Sequence, residues 1–233
     1  MVRSMTEYLQ IAILPMLLTL GSYRIGMLLQ QKLRSPICNP VLISMVLVLV
    51  FFRLTGMQNQ DYQSGMRIMS WLLTPATVCL AIPMYQHLSV LKKNLPAILA
   101  GITAGAVVSL VFVAIWCLLL RYDRSLMMSL LPKSVTSAIG APLAQMAGGL
   151  MPITTAVIII TGILGNIAGP LLCRIFRIRG QIAQGVAYGT AAHVIGTAKA
   201  NELSELTGAI SSLSLVVAGL VTAVLFPIAT AII

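Results

Sequence analysis

G-V-A-Y-G-T-A-A-H-V-I-G-T-A-K-A-N, residues Gly185 to Asn201, puts the chain's most polar groups of membrane depth into one weakly apolar stretch. At ~100° per residue Thr190, His193, Thr197 and Asn201 fall on one narrow helical stripe. Gly185, Gly189, Ala192 and Gly196 make a small-residue face about 120° away. One face suits close packing and the other suits binding. Glycine is a poor helix-interior residue, but in lipid it lets helices approach closely, or lets a helix break so that free amides and carbonyls meet a ligand. Gly189 and Gly196 are the expected break points. A packed helix with a structurally satisfied histidine is the alternative that the stretch leaves open.

The rest of the chain supplies the setting. Of 233 residues, 58% are hydrophobic and only 9% charged, and the mean hydropathy is +0.98. Water-soluble domains carry roughly 25% charged residues, so most of this surface must face lipid. Spanning helices need about 20 apolar residues each, which leaves room for at most eight or so in one polytopic domain over residues 1–233. Spanning β-strands would alternate polar and apolar residues. Val41 to Phe52, Ala97 to Leu120 and Ile153 to Ile163 are instead continuously apolar. The expected fold is therefore an all-α integral membrane protein of seven to eight segments. The net charge of +10 falls between apolar runs, where it sets orientation; no nucleic-acid motif accompanies it. Cys38, Cys79, Cys117 and Cys173 stand singly and read as small hydrophobes, not as a metal site or disulfide framework.

Taken in order, a first helix covers about Tyr8 to Leu29, interrupted by Pro15 and Arg24. After Lys32, Arg34 and the Pro36 to Pro40 turn, Asn39 caps the span Val41 to Phe52 with Pro40 in its first turn. A polar loop with Arg53, Asp61 and Arg67 follows. Pro75 and Pro83 should kink or break Ile68 to Gln86. Lys92 and Lys93 precede the span Ala97 to Leu120. Leu126 to Leu150, with Pro132, Lys133 and Pro142, is a poor lipid-facing helix. Met151 to Phe176 is interrupted at Gly162 to Asn166 and ends in Arg174, Arg177 and Arg179; an apolar helix runs from about Gly208 to Ile233. If Lys32, Arg34, Lys92 and Lys93 are cytoplasmic, a full crossing by Leu126 to Leu150 would expose the basic run at Arg174 outside. That segment is therefore expected to re-enter. A faint internal echo, Thr77, Pro83 and Gln86 with Thr136, Pro142 and Gln145, hints at a repeat of discontinuous helices.

Two clusters could carry chemistry. Lys133 follows Pro132 and precedes Ser134, Thr136 and Ser137; at the start of a half-helix, free amides, hydroxyls and one ammonium would converge into an anion site. Snorkelling of Lys133 to the headgroups is the alternative. His193 could carry a proton or serve structurally, and Lys199 is expected at the interface. No H-E-x-x-H, P-loop, G-x-G-x-x-G or nucleophile elbow occurs, so neither enzymatic activity nor a cofactor is expected.

These motifs carry a resemblance. N-P at Asn39, P-A-T-V-x-L-A-x-P from Pro75, L-P-K-S-V-T from Leu131, G-T-A-x-H-x-x-G-T-A from Gly189 and G-A-x-S-S-L from Gly208 make the chain similar to the LrgB/CidB family of bacterial membrane proteins. The resemblance implies a multi-pass protein of the bacterial cytoplasmic (inner) membrane, working with a small LrgA/CidA-like membrane partner. It implies either transport of small monocarboxylates of the pyruvate, glycolate or glycerate class, or antiholin-like regulation of murein hydrolase activity and membrane permeability. Lys133, Ser134, Thr136, Thr190, His193 and Thr197 match the family pattern as candidate contacts for a small anionic substrate; Ser137 and Asn201 join them by position. Ser137-Ala138 stand where many relatives have Thr-Pro, and Ala192 replaces a frequent serine. Gly-rich faces make an oligomer the expectation.

Overall fold

A computed structural model describes residues 5–33 and 39–233; no strand occurs among them. Arg34, Pro36 and Cys38 of the expected turn lie outside the described residues. The chain divides into two compact units, Met1–Cys79 and Leu80–Ile233.

The first unit holds α1 (Met5–Leu33), α2 (Pro40–Thr55), α3 (Asn59–Gly65) and α4 (Arg67–Cys79). Asn39 caps α2 as expected, its Oδ1 accepting from Val41 N at 2.8 Å and Leu42 N at 3.3 Å, and Pro40 takes the first turn, where no amide donor is needed. Gly56, at φ 66°, ends the helix in the left-handed region. Helix α1 runs unbroken through Pro15, and Thr19 Oγ1 donates to the Pro15 carbonyl at 2.8 Å. The expected polar loop contains α3, which Tyr62 ties to α1 by a hydroxyl contact with Thr19 at 2.7 Å. Breaks were expected at Pro75 and Pro83, but Pro75 lies inside α4 and the helix ends between the two prolines, at Leu80. Pro83 sits third in α5 (Ala81–Gln86), where its missing N–H would have had no partner.

The second unit continues with α6 (Leu88–Leu119), α7 (Arg124–Leu130), α8 (Ser137–Met146), α9 (Met151–Ile175), α10 (Gln181–Leu203) and α11 (Glu205–Ile232). Among the described residues four helices are long and apolar enough to cross a membrane: residues Ile13–Leu33 of α1, then α6, α9 and α11.

The other two segments of the second unit fold back on themselves. Asp123 caps α7, the chain turns through residues 131–136, and α8 returns until Leu150 N donates to Ser129 Oγ at 2.7 Å. Gly149 lies so close to Ser129 that a Cβ there would sit 2.9 Å from its amide nitrogen. Pro142, an expected break, lies inside α8; the reversal comes earlier, around Pro132. In α10 the reversal is at one residue, His193, with φ 43° and ψ −133°. A straight helix would separate Gln184 from Leu203 by about 28 Å, yet both line one cavity with Arg177. A Cβ on Gly196 would lie 2.7 Å from the carbonyl of Tyr188. The break therefore falls on the histidine, not on Gly189 or Gly196, which are helical within the two arms. Glycine at those positions gives clearance, not a turn.

Ser204 alone separates α10 from α11, and its Oγ accepts from Thr207 N at 3.1 Å. From there α11 runs parallel to the first arm of α10: Gly185 faces Thr207 and Ile210, and Gly189 faces Ser211 and Ser214. Helix α9 runs antiparallel to that arm, with Gly162 against His193, Gly165 against Ala192 and Gly169 against Tyr188. The expected interruption at Gly162 to Asn166 is a groove in an unbroken helix. These glycines are occupied by helices of the same chain. Leu91, Ile98 and Ile102 of α6 with Ile210 and Ala218 of α11 form one apolar core; Leu110, Val113 and Cys117 of α6 with Met127, Met128, Leu131 and Phe226 form another.

Candidate functional site

The tips of the two hairpins converge on one residue of α9. The Cδ1 of Ile158 lies 2.7 Å from where a Cβ on Gly140 would stand, in the first turn of α8. The carbonyl of the same Ile158 is 2.9 Å from His193 Nε2. A carbonyl only accepts, so Nε2 carries a proton, and in the neutral ring Nδ1 is the acceptor nitrogen.

Around His193 the polar groups are paired. Thr197 Oγ1 donates to the His193 carbonyl at 2.9 Å and lies 2.8 Å from Ser211 Oγ. Asn166 Nδ2 donates to the Ile195 carbonyl at 3.0 Å. A non-glycine residue at positive φ is held only where its surroundings over-determine it. Here the imidazole bond to α9, the space above Gly162 and the Thr197 and Asn166 contacts do so.

The other tip is left open. Lys133 and Ser134 of the 131–136 turn, Ser109 and Phe112 of α6, and Val186 and Thr190 of α10 line an open cavity of about 330 Å³. Ser109 Oγ and Ser134 Oγ are 2.8 Å apart, and Lys133 Nζ donates to Ser134 Oγ at 3.2 Å. Lys133 has no carboxylate partner among the described residues, so two of its three N–H donors stay available. Thr190 Oγ1 is buried without a hydrogen-bond partner. Behind these hydroxyls an enclosed void of about 10 Å³ touches Ser109, Ser134 and Thr190, room for about one water. One ammonium and the Ser109 and Ser134 hydroxyls at an aperture of this size, with the buried Thr190 hydroxyl beside them, have the chemistry to hold a small anion.

Of the residues singled out in the sequence, Lys133, Ser134 and Thr190 share this cavity. His193 and Thr197 stand beside it on the paired side. Thr136 precedes α8, its carbonyl accepting from Ile139 N at 3.0 Å and Gly140 N at 2.8 Å; Ser137 opens that helix half-buried. Neither is among the cavity's walls. Asn201 is exposed and packs on Gly208. The stripe drawn from Thr190 to Asn201 is thus not one face, because the reversal at His193 resets the helical phase. Ser109 was missed. Its signal is the four-residue spacing Gly101, Gly105, Ser109 inside the apolar span, a small-residue ridge on which Thr190 rests. Groups of three or more side chains able to hold a metal do not occur among the described residues.

Residues 19–232 match the LrgB-like family. The chain is 36% identical over 224 residues to the holin-like protein CidB of Staphylococcus epidermidis, covering 96% of this chain and 97% of the relative. It is 34% identical over 224 residues to CidB of Staphylococcus aureus, with the same coverage. It is also 34% identical over 228 residues to the antiholin-like protein LrgB of Bacillus mycoides, covering 97% of each. No solved structure matches. With four helices long and apolar enough to cross a membrane among the described residues, and these relatives, this is a multi-pass protein of the bacterial cytoplasmic (inner) membrane.

Proposed function

The chain belongs to the LrgB-like family, and from that premise we propose that it is a holin-like or antiholin-like membrane protein. In this reading it regulates membrane permeability and murein hydrolase activity together with a small LrgA/CidA-like membrane partner. The observation that carries the reading is kinship over 96–97% of the chain to relatives bearing both names. Co-expression with such a partner, followed by autolysis and dye permeation, tests it. The pair is expected to change both relative to either protein alone; equal lysis and permeability in all strains would overturn the reading.

One geometric feature favours a second reading, a facilitator of small monocarboxylates. The cavity between the hairpin tips offers Lys133 and the hydroxyls of Ser109, Ser134 and Thr190 to a carboxylate. Cationic and hydroxyl groups at membrane depth are costly and mark pathways, and transporters place such sites where discontinuous segments meet. In this arrangement the α7–α8 hairpin re-enters from the outer face and α10 from the cytoplasmic face, while α6, α9 and α11 cross. With α1, α2 and residues 67–86 that makes eight membrane segments, and it keeps Lys32, Lys92 and Arg174 to Arg179 cytoplasmic. Uptake of labelled pyruvate or glycolate into proteoliposomes, with and without the partner, tests the reading. A folded protein that moves neither acid in either condition contradicts it. No enzymatic step and no cofactor form part of either reading.

A further inference from the structure

The second hairpin has a base as well as a tip, and the base encloses a different kind of site. Arg174 lies in the last turn of α9, which ends at Ile175; Phe176 follows, and Arg177 takes the left-handed conformation at φ 55°, while Ile178 N donates to the Cys173 carbonyl at 2.8 Å, closing the helix end. Glycine is the usual residue at that position. Arg174, Arg177 and Arg179, with Gln184 and Leu203 from the two arms of α10, surround an open cavity of about 360 Å³. None of the three guanidiniums has an ion-pair partner among the described residues. The nearby Glu202 is already paired with Lys199 at 2.6 Å.

An independent observation points to a ligand. Tyr188 of α10 also lines this cavity. Its ring lies along Gly169 toward the Pro170 and Cys173 turn of α9, and the residue is only 3% exposed. Its hydroxyl has no hydrogen-bond partner. A buried hydroxyl without a partner is costly, and the residue that carries it lines a space ringed by three guanidiniums with no ion-pair partner among the described residues. Helix α10 begins just beyond Arg179 with no side-chain cap, so its first amides add to the positive field. Guanidinium forks match phosphate oxygens in pairs. A smaller apolar cavity of about 110 Å³ adjoins the basic one, sharing Cys173, Ile178 and Tyr188 with it and continuing along Gly165 and Ala191. A charged mouth joined to an apolar cleft fits an amphiphile.

We propose that the base of the α10 hairpin binds the phosphate of an anionic phospholipid, with Arg174, Arg177 and Arg179 on the phosphate, Tyr188 donating to it, and the glycerol and upper acyl carbons in the apolar cleft. Basic pockets between membrane helices on the cytoplasmic side take such headgroups. The ligand would tie the end of α9 to both arms of the hairpin and so steady the segment that carries Thr190 and His193.

The test uses the full chain, delipidated in a neutral detergent, with thermal unfolding followed as phosphatidylglycerol, phosphatidylcholine or inorganic phosphate is added. Phosphatidylglycerol is expected to raise the unfolding temperature by several degrees and phosphatidylcholine to leave it unchanged. Arg174→Gln with Arg179→Gln should abolish the response, and Tyr188→Phe should weaken the apparent affinity about tenfold. Arg177→Gly guards against simple misfolding: glycine accepts the positive φ, so the lipid-free protein keeps its unfolding temperature while the response falls. Arg121→Gln with Arg124→Gln, at the other helix end, should respond like the parent. An equal response in the Arg174/Arg179 variant, or an equal effect of phosphatidylcholine, overturns the proposal. A rise produced in full by inorganic phosphate alone leaves an anion site and overturns the lipid assignment.

Discussion

The two hairpins of the second unit solve the same problem in opposite ways. In α10 a single residue reverses the chain, and polar groups around the turn are tied to neighbours: His193 Nε2 to the Ile158 carbonyl, Thr197 to the His193 carbonyl and Ser211, the Ile195 carbonyl to Asn166. Between α7 and α8 six residues make the turn, and they leave the Lys133 ammonium and the Ser134 hydroxyl at a cavity. A reversal that satisfies itself is a support; one that leaves donors free can receive a ligand. Thr190 shows the boundary between the two, since it belongs to α10 and lines the other hairpin's cavity while its hydroxyl stays buried without a partner.

That contrast can be broken most severely at Gly162. A Cβ there would lie 2.7 Å from His193 Cε1 and 2.9 Å from Ile195 Cδ1. Gly162→Val should therefore cost about 3 kcal/mol or more by overpacking, seen as lost monodispersity and a lowered denaturation midpoint. Gly21→Ala meets open space and should be neutral or slightly stabilising. Next in size, His193→Ala leaves the Ile158 carbonyl without its donor and should cost about 2 kcal/mol. His193→Gly should recover about 1 kcal/mol of that because glycine tolerates the positive φ; equal stability of the two variants would mean the backbone is unstrained there. Lys133→Ala reverses the pattern. Stability should move by no more than about 0.5 kcal/mol, while uptake of a monocarboxylate, if that reading holds, should fall about tenfold or more, in line with one lost charge-assisted contact of ~1.4 kcal/mol. Smallest of all, Thr190→Val should leave the unfolding midpoint within about 0.5 kcal/mol, since its hydroxyl has no partner to lose.

Much of this was legible in the residues. The all-helical membrane architecture, the Asn39 cap, the long apolar helix through Ala97 to Leu119 and the interruption of Leu126 to Leu150 each follow from local chemistry, and the structure has them. What was not legible depends on neighbours. Glycine and proline announce that a side chain or a donor is missing, but whether the chain bends there or another helix moves in depends on what stands opposite. Gly162 and Gly165 read as an interruption of α9 and, with Gly169, are a groove for α10. Pro75 and Pro142 looked like breaks and lie inside helices. The residue that does reverse the chain, His193, is a poor candidate on propensity, and it is held by contacts with α9 that no local pattern encodes. A helical wheel drawn through it then misassigns everything beyond, which is why Asn201 was grouped with Thr190. Ser109 was hidden for the converse reason: one hydroxyl in a continuous apolar run reads as tolerated until the Ser134 contact is seen.

If both hairpins dip into the membrane as proposed, α10 returns to the side from which it starts. Single cysteines placed at Arg179 and at Ser204, in a background without the four native cysteines, can be reacted with an impermeant maleimide in intact cells and in inverted vesicles. Both positions are expected to react only in inverted vesicles, together with a cysteine at Lys92. Labelling of residues 179 and 204 from opposite faces would make α10 a crossing helix, and the meeting of two hairpin tips would then not exist.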